Sequence, residues 1–285
     1  MLLWNIHGNC KNEDGSPISS YFATQRNIIP FYPFHWHEEA ELVYVKSGSV
    51  RFCCDGVWST ANEGNAIVFR PFCLHCFKSI LDTDVELEAL TINFRTATND
   101  GQYSLLKGFA PMFSNIGAKR VLVSTDNAVQ NAFCVQLLNC INKFNYQNAN
   151  PENFFCLLKI LSELGMSGEN NLTADKQCHA VRLALEYIGD NYQNKFSVED
   201  IAHHCGYSHF YIMKLFVAFT ELSCVDYTNC FRLTLAKELL CADQDKIKDI
   251  ARKVGFENVS YFNRQFLRLY GKTPAQLRQE QQKRI

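Results

Sequence analysis

The chain has 285 residues, 47% of them hydrophobic, with 28 basic and 29 acidic side chains and a net charge of −1. That length gives room for two domains with separate cores, and the composition is ordinary for a globular protein. No run of about 18 apolar residues occurs and the start, MLLWNIHGNC, lacks a signal-peptide layout, which argues against a helical membrane span and for the cytoplasm.

The charge is unevenly placed. From Asp175 onward there are 16 basic and 13 acidic residues, against 12 and 16 before it. Such asymmetry is expected when one domain meets phosphates and the other does not. The 13 cysteines are scattered and odd in number. They read mostly as free, buried thiols, with Cys53 and Cys54 pointing to opposite faces of a strand.

Residues 1–105 alternate short apolar runs with turn signals. Strands are expected at Ala40–Val45, Val50–Cys54, Asn65–Phe69 and Leu87–Phe94, with turns at Ser47-Gly48, Asp55-Gly56 and Glu63-Gly64. Evenly spaced short strands imply a sandwich or barrel. His35-Trp36-His37, Glu41 and Gly48, followed by Gly64, Pro71 and His75, resemble the two cupin motifs. Ile29 and Phe72 stand where those motifs often carry glycine. In metal-binding cupins the corresponding residues, here His35, His37, Glu41 and His75, meet inside the barrel. The same residues can instead hydrogen-bond structurally or line a ligand pocket. The expectation is no metal and no cofactor, with an effector pocket formed by His35, Trp36, His37, Glu41, Tyr44, Phe69 and His75. Phe34, Phe52, Trp58, Phe72 and Phe77 add to an aromatic lining or core.

Residues 106–165 read as a connector with dimerisation helices. Val129, Phe133, Leu137, Leu138, Ile141 and Phe144 recur at helical spacing behind the cap Asp126, and Phe154–Leu161 forms a second apolar helix. These helices either pair two subunits or pack on their own barrel. Residues 166–176 are polar and aperiodic, and are expected to be a linker.

Residues 177–285 are expected to be all helical, starting with a helix over His179–Asn191. Ser197 and Asp200 form a capping box before Ile201-Ala202 and Gly206-Tyr207, and Ser208 caps a helix through Phe216. Val225–Leu240 reads as a rigid joining helix. Ile250-Ala251, Gly255-Phe256 and the cap Asn258 then repeat the first unit at an offset of 49, so a helix-turn-helix is duplicated. Ile247–Ile285 carries nine Lys+Arg and three acids; Ser197–Arg232 carries two and four.

Ile250-Ala251, Gly255-Phe256, Tyr261-Phe262, Phe266 and Gly271-Lys272-Thr273-Pro274 together resemble the signature of AraC/XylS-type transcriptional regulators. The resemblance implies an α+β protein of two domains, a cupin-like β-barrel with flanking helices followed by an all-α domain with two helix-turn-helix motifs. It implies no enzyme but a regulator that binds double-stranded DNA and a small-molecule effector, as a homodimer, with RNA polymerase as a further candidate partner. Base-facing positions carried over by the resemblance are His209, Phe210, Met213 and Lys214 in the first unit. In the second they are Asn258, Ser260, Asn263 and Arg264, with Glu257 beside them. Arg252, Lys253, Arg268 and Lys272 read as phosphate contacts. The opposing reading is a metal-dependent cupin enzyme with a helical appendage; a third has the barrel only dimerise.

Overall fold

The computed structural model describes residues 18–25, 32–37, 39–80, 85–92, 120–123, 132, 134–136, 139, 172–242 and 245–282. The chain divides into two compact units, one rich in strands and one mostly helical, with the main changeover at Leu172–Thr173 and residues 32–34 grouped with the helical unit. No helix among the described residues is long and apolar enough to cross a membrane.

The described strands are β1 (Ile18–Gln25), β2 (Tyr32–His35), β3 (Ala40–Ser47), β4 (Ser49–Cys54), β5 (Val57–Asn62), β6 (Ala66–Phe69), β7 (His75–Ser79), β8 (Val85–Ile92) and β9 (Arg120–Val123). They form a five-stranded sheet, β1-β8-β3-β6-β9, and a four-stranded sheet, β2-β7-β4-β5. The expected strands over 40–45, 50–54 and 65–69 are present, and that at 87–94 begins earlier, at Val85. The turn at Asp55-Gly56 has φ of 47° and 85°, a type I′ geometry that joins β4 to β5 with the twist strands favour. Phe34, Phe52, Phe69 and Phe77 are buried, and Phe69 meets Phe52 and Phe77 edge-on at 5.9 and 5.7 Å. Phe72 is not core: it is 37% exposed, with φ of 60°. The left-handed backbone that glycine would supply there is retained with a phenylalanine in its place. Trp36, Tyr44 and Trp58 are only partly buried.

Of the cysteines, Cys54 and Cys73 are paired, which the reading of scattered free thiols did not foresee. Cys53, Cys76, Cys134, Cys178, Cys205 and Cys224 are buried thiols outside any disulfide, as expected. The connector at 106–165 lies largely outside the described residues; the parts described are strand β9 and helical residues 132, 134–136 and 139. The helix at 154–161 and the first half of the linker lie outside them altogether.

The helical unit opens with α1 (Leu172–Asn191). It starts earlier than the expected 179, so the linker cannot run to 176. The buried stripe begins at Cys178 and Val181, but no glycine or proline stands between Leu172 and Cys178, so the helix extends past its packed face. Next come α2 (Val198–Cys205), α3 (His209–Thr220), α4 (Cys224–Ala242), α5 (Ile247–Lys253), α6 (Val259–Tyr270) and α7 (Pro274–Gln282). The joining helix α4 packs against α3, α5, α6 and α7.

The local chemistry explains each boundary. Ser197 accepts from Asp200 N (3.2 Å) while Asp200 Oδ2 accepts from Ser197 N (2.7 Å), closing the capping box before α2. Ser208 and Asn258 cap α3 and α6 by accepting from the amides of Tyr211 and Tyr261. Phe262 and Phe266, both fully buried, lead a row from Phe256 to Tyr270 with ring centroids 5.3, 5.6 and 4.6 Å apart. Burying each such ring contributes about 2–3 kcal/mol.

The two helix pairs α2–α3 and α5–α6 share a frame but not a turn length. Ile201, Ala202 and Gly206 lie 49 residues before Ile250, Ala251 and Gly255. The caps, however, are Ser208 and Asn258, and the buried Ile212 and Phe216 answer to Phe262 and Phe266, an offset of 50. The second turn is one residue longer, with Glu257 as the insertion.

Candidate functional site

The exposed faces of α3 and α6 come first. With the offset of 50, Phe210, Met213 and Lys214 of α3 occupy the positions of Ser260, Asn263 and Arg264 of α6, and His209 that of Val259. All six of the named chemistry-bearing groups on these faces are exposed, as are His209 and Asn258. The faces differ in kind. On α3 Phe210 is 76% exposed, and Met213, Val217 and Tyr211 stand open beside it, so the surface is largely apolar. His209 Nε2 lies 3.7 Å from Glu199 Oε1. On α6 the face is amide, hydroxyl and guanidinium, and Arg264 stacks 5.4 Å above the Tyr261 ring, which pre-orients it. Glu257 is exposed at the turn, next to the cap Asn258.

The four cations expected at phosphates divide into two kinds. Lys253 pairs with Asp245, and Lys272 Nζ lies 2.7 Å from Glu280 Oε2. Arg252 and Arg268 are exposed and make no ion pair among the described residues.

Arg232 ties the second pair to the first. Its Nε donates to the Tyr192 carbonyl (2.6 Å) and Nη2 to the Asn194 carbonyl (2.9 Å), and its guanidinium lies 5.8 Å over Phe256. Gly255 is pressed against the same carbonyl. Its φ is 91°, and a Cβ there would sit 2.3 Å from Tyr192 O and 3.0 Å from Arg232 Nε. Only glycine fits.

In the strand-rich unit His35, His37, Glu41 and His75 are brought together, with one ligand atom of each within 4.8 Å of the others. All four are buried. His35 and His37 share a face because they alternate around Trp36; Glu41 comes from β3 and His75 from β7. Phe69 stacks on His75 at 4.4 Å. Two of the expected pocket residues are not with them. Trp36 has the opposite parity to its histidine neighbours, and Tyr44, three residues from Glu41, faces the other side of β3, opposite Glu88.

The polar contacts of the cluster are mismatched. His75 Nδ1 lies 2.8 Å from the Cys73 carbonyl and His37 Nδ1 3.0 Å from the Glu39 carbonyl, so each of these nitrogens is assigned the proton. Their Nε2 atoms then turn lone pairs toward Glu41 Oε2, at 2.7 and 3.4 Å. Burial pushes the His37 imidazole below its usual value, against the pull of Glu39, which favours the neutral ring. Lone pair facing lone pair requires a shared proton or a cation. Three imidazoles and one carboxylate, with two imidazoles oriented through carbonyls on their far nitrogen, are a donor set that fits zinc, iron or manganese.

Comparison with known proteins follows the same division. A cupin domain family matches residues 30–93 and a helix-turn-helix domain family matches residues 201–280. The regulatory protein PocR of Salmonella typhimurium is 35% identical over 100 residues, covering 35% of this chain and 33% of PocR. The bifunctional transcriptional activator/DNA repair enzyme AdaA of Bacillus subtilis is 34% identical over 99 residues, covering 35% of this chain and 47% of AdaA. The chain thus spans between a third and a half of the length of these two relatives. The melibiose operon regulatory protein of Escherichia coli is 26% identical over 291 residues, covering 94% of this chain and 93% of that protein.

Proposed function

The chain belongs to the AraC/XylS-type family of transcriptional regulators, with a cupin domain followed by a helical helix-turn-helix domain, and from that premise we propose that it binds double-stranded DNA sequence-specifically in response to a small effector. The observation that carries this reading is the face of α6. It offers Asn258, Ser260, Asn263 and Arg264 in the open, with free Arg252 and Arg268 to either side. Asn and Arg match adenine and guanine edges in the major groove, and the two free arginines suit phosphates.

Both helix pairs are helix-turn-helix units in this reading. The second, basic and polar, is the main anchor. The first adds His209, Lys214 and apolar contact from Phe210 and Met213 to thymine methyl groups. The domains run 1–105, 106–165 and 172–285, with the linker shortened to end before Leu172. The protein acts in the cytoplasm as a homodimer, with RNA polymerase as a further partner, and the buried polar cluster of the cupin domain is the floor of the effector site. Binding of a labelled duplex, selected on this protein from random sequences, tests the core of the proposal at fixed salt. Arg264→Ala should cost about 1–3 kcal/mol and relax sequence preference, and Lys214→Ala less. Equal losses would remove the asymmetry between the units.

A second reading of the cupin cluster is favoured by its facing lone pairs: a divalent first-row cation held by His35, His37, Glu41 and His75. Metal analysis of the purified protein, with thermal unfolding in added Mn²⁺ or Zn²⁺, tests it. A stabilisation that His75→Ala abolishes supports the cation. Metal-free protein whose unfolding ignores both ions leaves the shared proton.

A further inference from the structure

The helical unit contains a cavity of about 660 Å³ between the two helix pairs, on the side where the N-termini of α2, α4 and α6 converge. This volume falls in the range of about 300–1,000 Å³ typical of small-molecule sites. Its walls are of two kinds. Phe196, Val198, Val225 and Phe256 supply apolar surface. Lys195, Arg232 and Arg252 supply three cations against one carboxylate, Glu257. Lys195 and Arg252 make no ion pair or side-chain hydrogen bond among the described residues, and Arg232 has committed only Nε and Nη2. Val225, at the start of α4, is 59% exposed, although nothing in forming the helix pairs requires an open apolar residue there.

We propose that this cavity is a binding site for a small amphipathic monoanion, an aromatic or branched acyl carboxylate, and that its occupation excludes DNA. Charge complementarity sets the sign of the ligand: cations exceed acids three to one, and two cations have no partner to give up. The apolar wall sets its character. A bare phosphate or a nucleic-acid backbone would leave Phe196, Val198 and Val225 uncovered, whereas a ring or acyl chain removes them from water. The exclusion follows from shared residues, because Arg252 and Asn258 line the cavity and also belong to the proposed DNA surface. That competition rests on the DNA-binding reading; occupation of the cavity itself does not.

The probe is 2-naphthoate, titrated calorimetrically into the full chain without DNA, with the uncharged isostere 2-naphthamide as control. Val225→Trp fills the cavity from its exposed rim without entering the core, and circular dichroism checks that the helices are retained. The expected result is saturable binding of one naphthoate, weakened at least tenfold both by Val225→Trp and by replacing the carboxylate with the amide. Naphthoate should then raise the apparent Kd for the selected duplex in proportion to its occupancy. Binding unchanged by Val225→Trp places the ligand elsewhere and overturns the proposal. So does equal binding of the amide, or no heat at millimolar naphthoate from protein that still binds the duplex. Protein that binds naphthoate but no DNA would refute the function reading and leave the cavity assignment standing.

Discussion

Substituting Gly255 by alanine should damage the helical unit far more than the same change at Gly206, although both glycines follow the first helix of a pair at left-handed φ. At Gly206, φ is 71° and an added Cβ meets nothing within 4 Å. The cost there is the left-handed backbone alone, about 1–2 kcal/mol, less the roughly 0.4–1 kcal/mol gained by stiffening the unfolded chain. At Gly255 the same methyl lies 2.3 Å from Tyr192 O and 3.1 Å from Gln193 Cα, both backbone atoms that cannot rotate away. The turn must move off α1. That sacrifices the Arg232 bond to Tyr192, a charged hydrogen bond worth about 1.5–3 kcal/mol, on top of the backbone term. We expect Gly206→Ala to lose under about 1.5 kcal/mol and Gly255→Ala about 3–5 kcal/mol. Urea unfolding of the full chain separates the two units. All three tryptophans, Trp4, Trp36 and Trp58, precede the helical unit, so far-UV circular dichroism at 222 nm follows the helices and tryptophan emission the strands. The dichroism midpoint of Gly255→Ala should fall by about 2 M or more, and that of Gly206→Ala by less than about 1 M. Equal shifts would refute the close approach of Gly255 to α1.

Glu221 ends α3 at φ 59°, the role Gly271 fills after α6, so Glu221→Gly should raise the stability of the helical unit by about 0.5–1 kcal/mol in the same urea titration. Lys237 is half-buried with its ammonium 5.6 Å from the Tyr270 ring centroid, and desolvation brings its pKa down to about 8. A lysine depressed in the folded state is a penalty below about pH 8 that disappears as pH rises past its unfolded value, about 10.4. Lys237→Met should therefore raise Tm at pH 7, and the advantage should shrink between pH 8 and 10.5. In DNA titrations over a salt series, Arg268→Ala should reduce the slope of log K against log salt by about 1, and Lys272→Ala by less, because Lys272 is already paired with Glu280.

The helical unit was legible because its punctuation is local. Ser197 with Asp200, Ser208, Asn258 and Gly255 each act within four residues, and all do in the fold what their types suggest. The extra residue in the second turn escaped because the matching pairs at an offset of 49 all precede it. The strand-rich unit was harder. β5 (VWSTAN) and β7 (HCFKS) alternate poorly, and although β5 pairs with β4 across the local Asp55-Gly56 turn, the pairing of β7 with β4 depends on residues some 20 positions or more along the chain. The His/Glu cluster was readable through its resemblance to the cupin motifs, while Tyr44, expected beside it, stands an odd number of residues from Glu41 and so on the other face of β3. The ion pairs of Lys253 and Lys272 span eight residues across turns, so helical periodicity gave no hint of them. The cavity between the helix pairs is made by tertiary packing of segments from residue 193 to 261 and left no mark in the sequence.

The most direct test of the account is selection of bound duplexes from random DNA, followed by footprinting of the enriched sequence. The account predicts one enriched site with two major-groove segments protected on the same face, about 34 Å apart, and the stronger base preference in the segment that Arg264→Ala relaxes. No enrichment over the starting pool, or a single protected segment insensitive to Arg264→Ala, would contradict it.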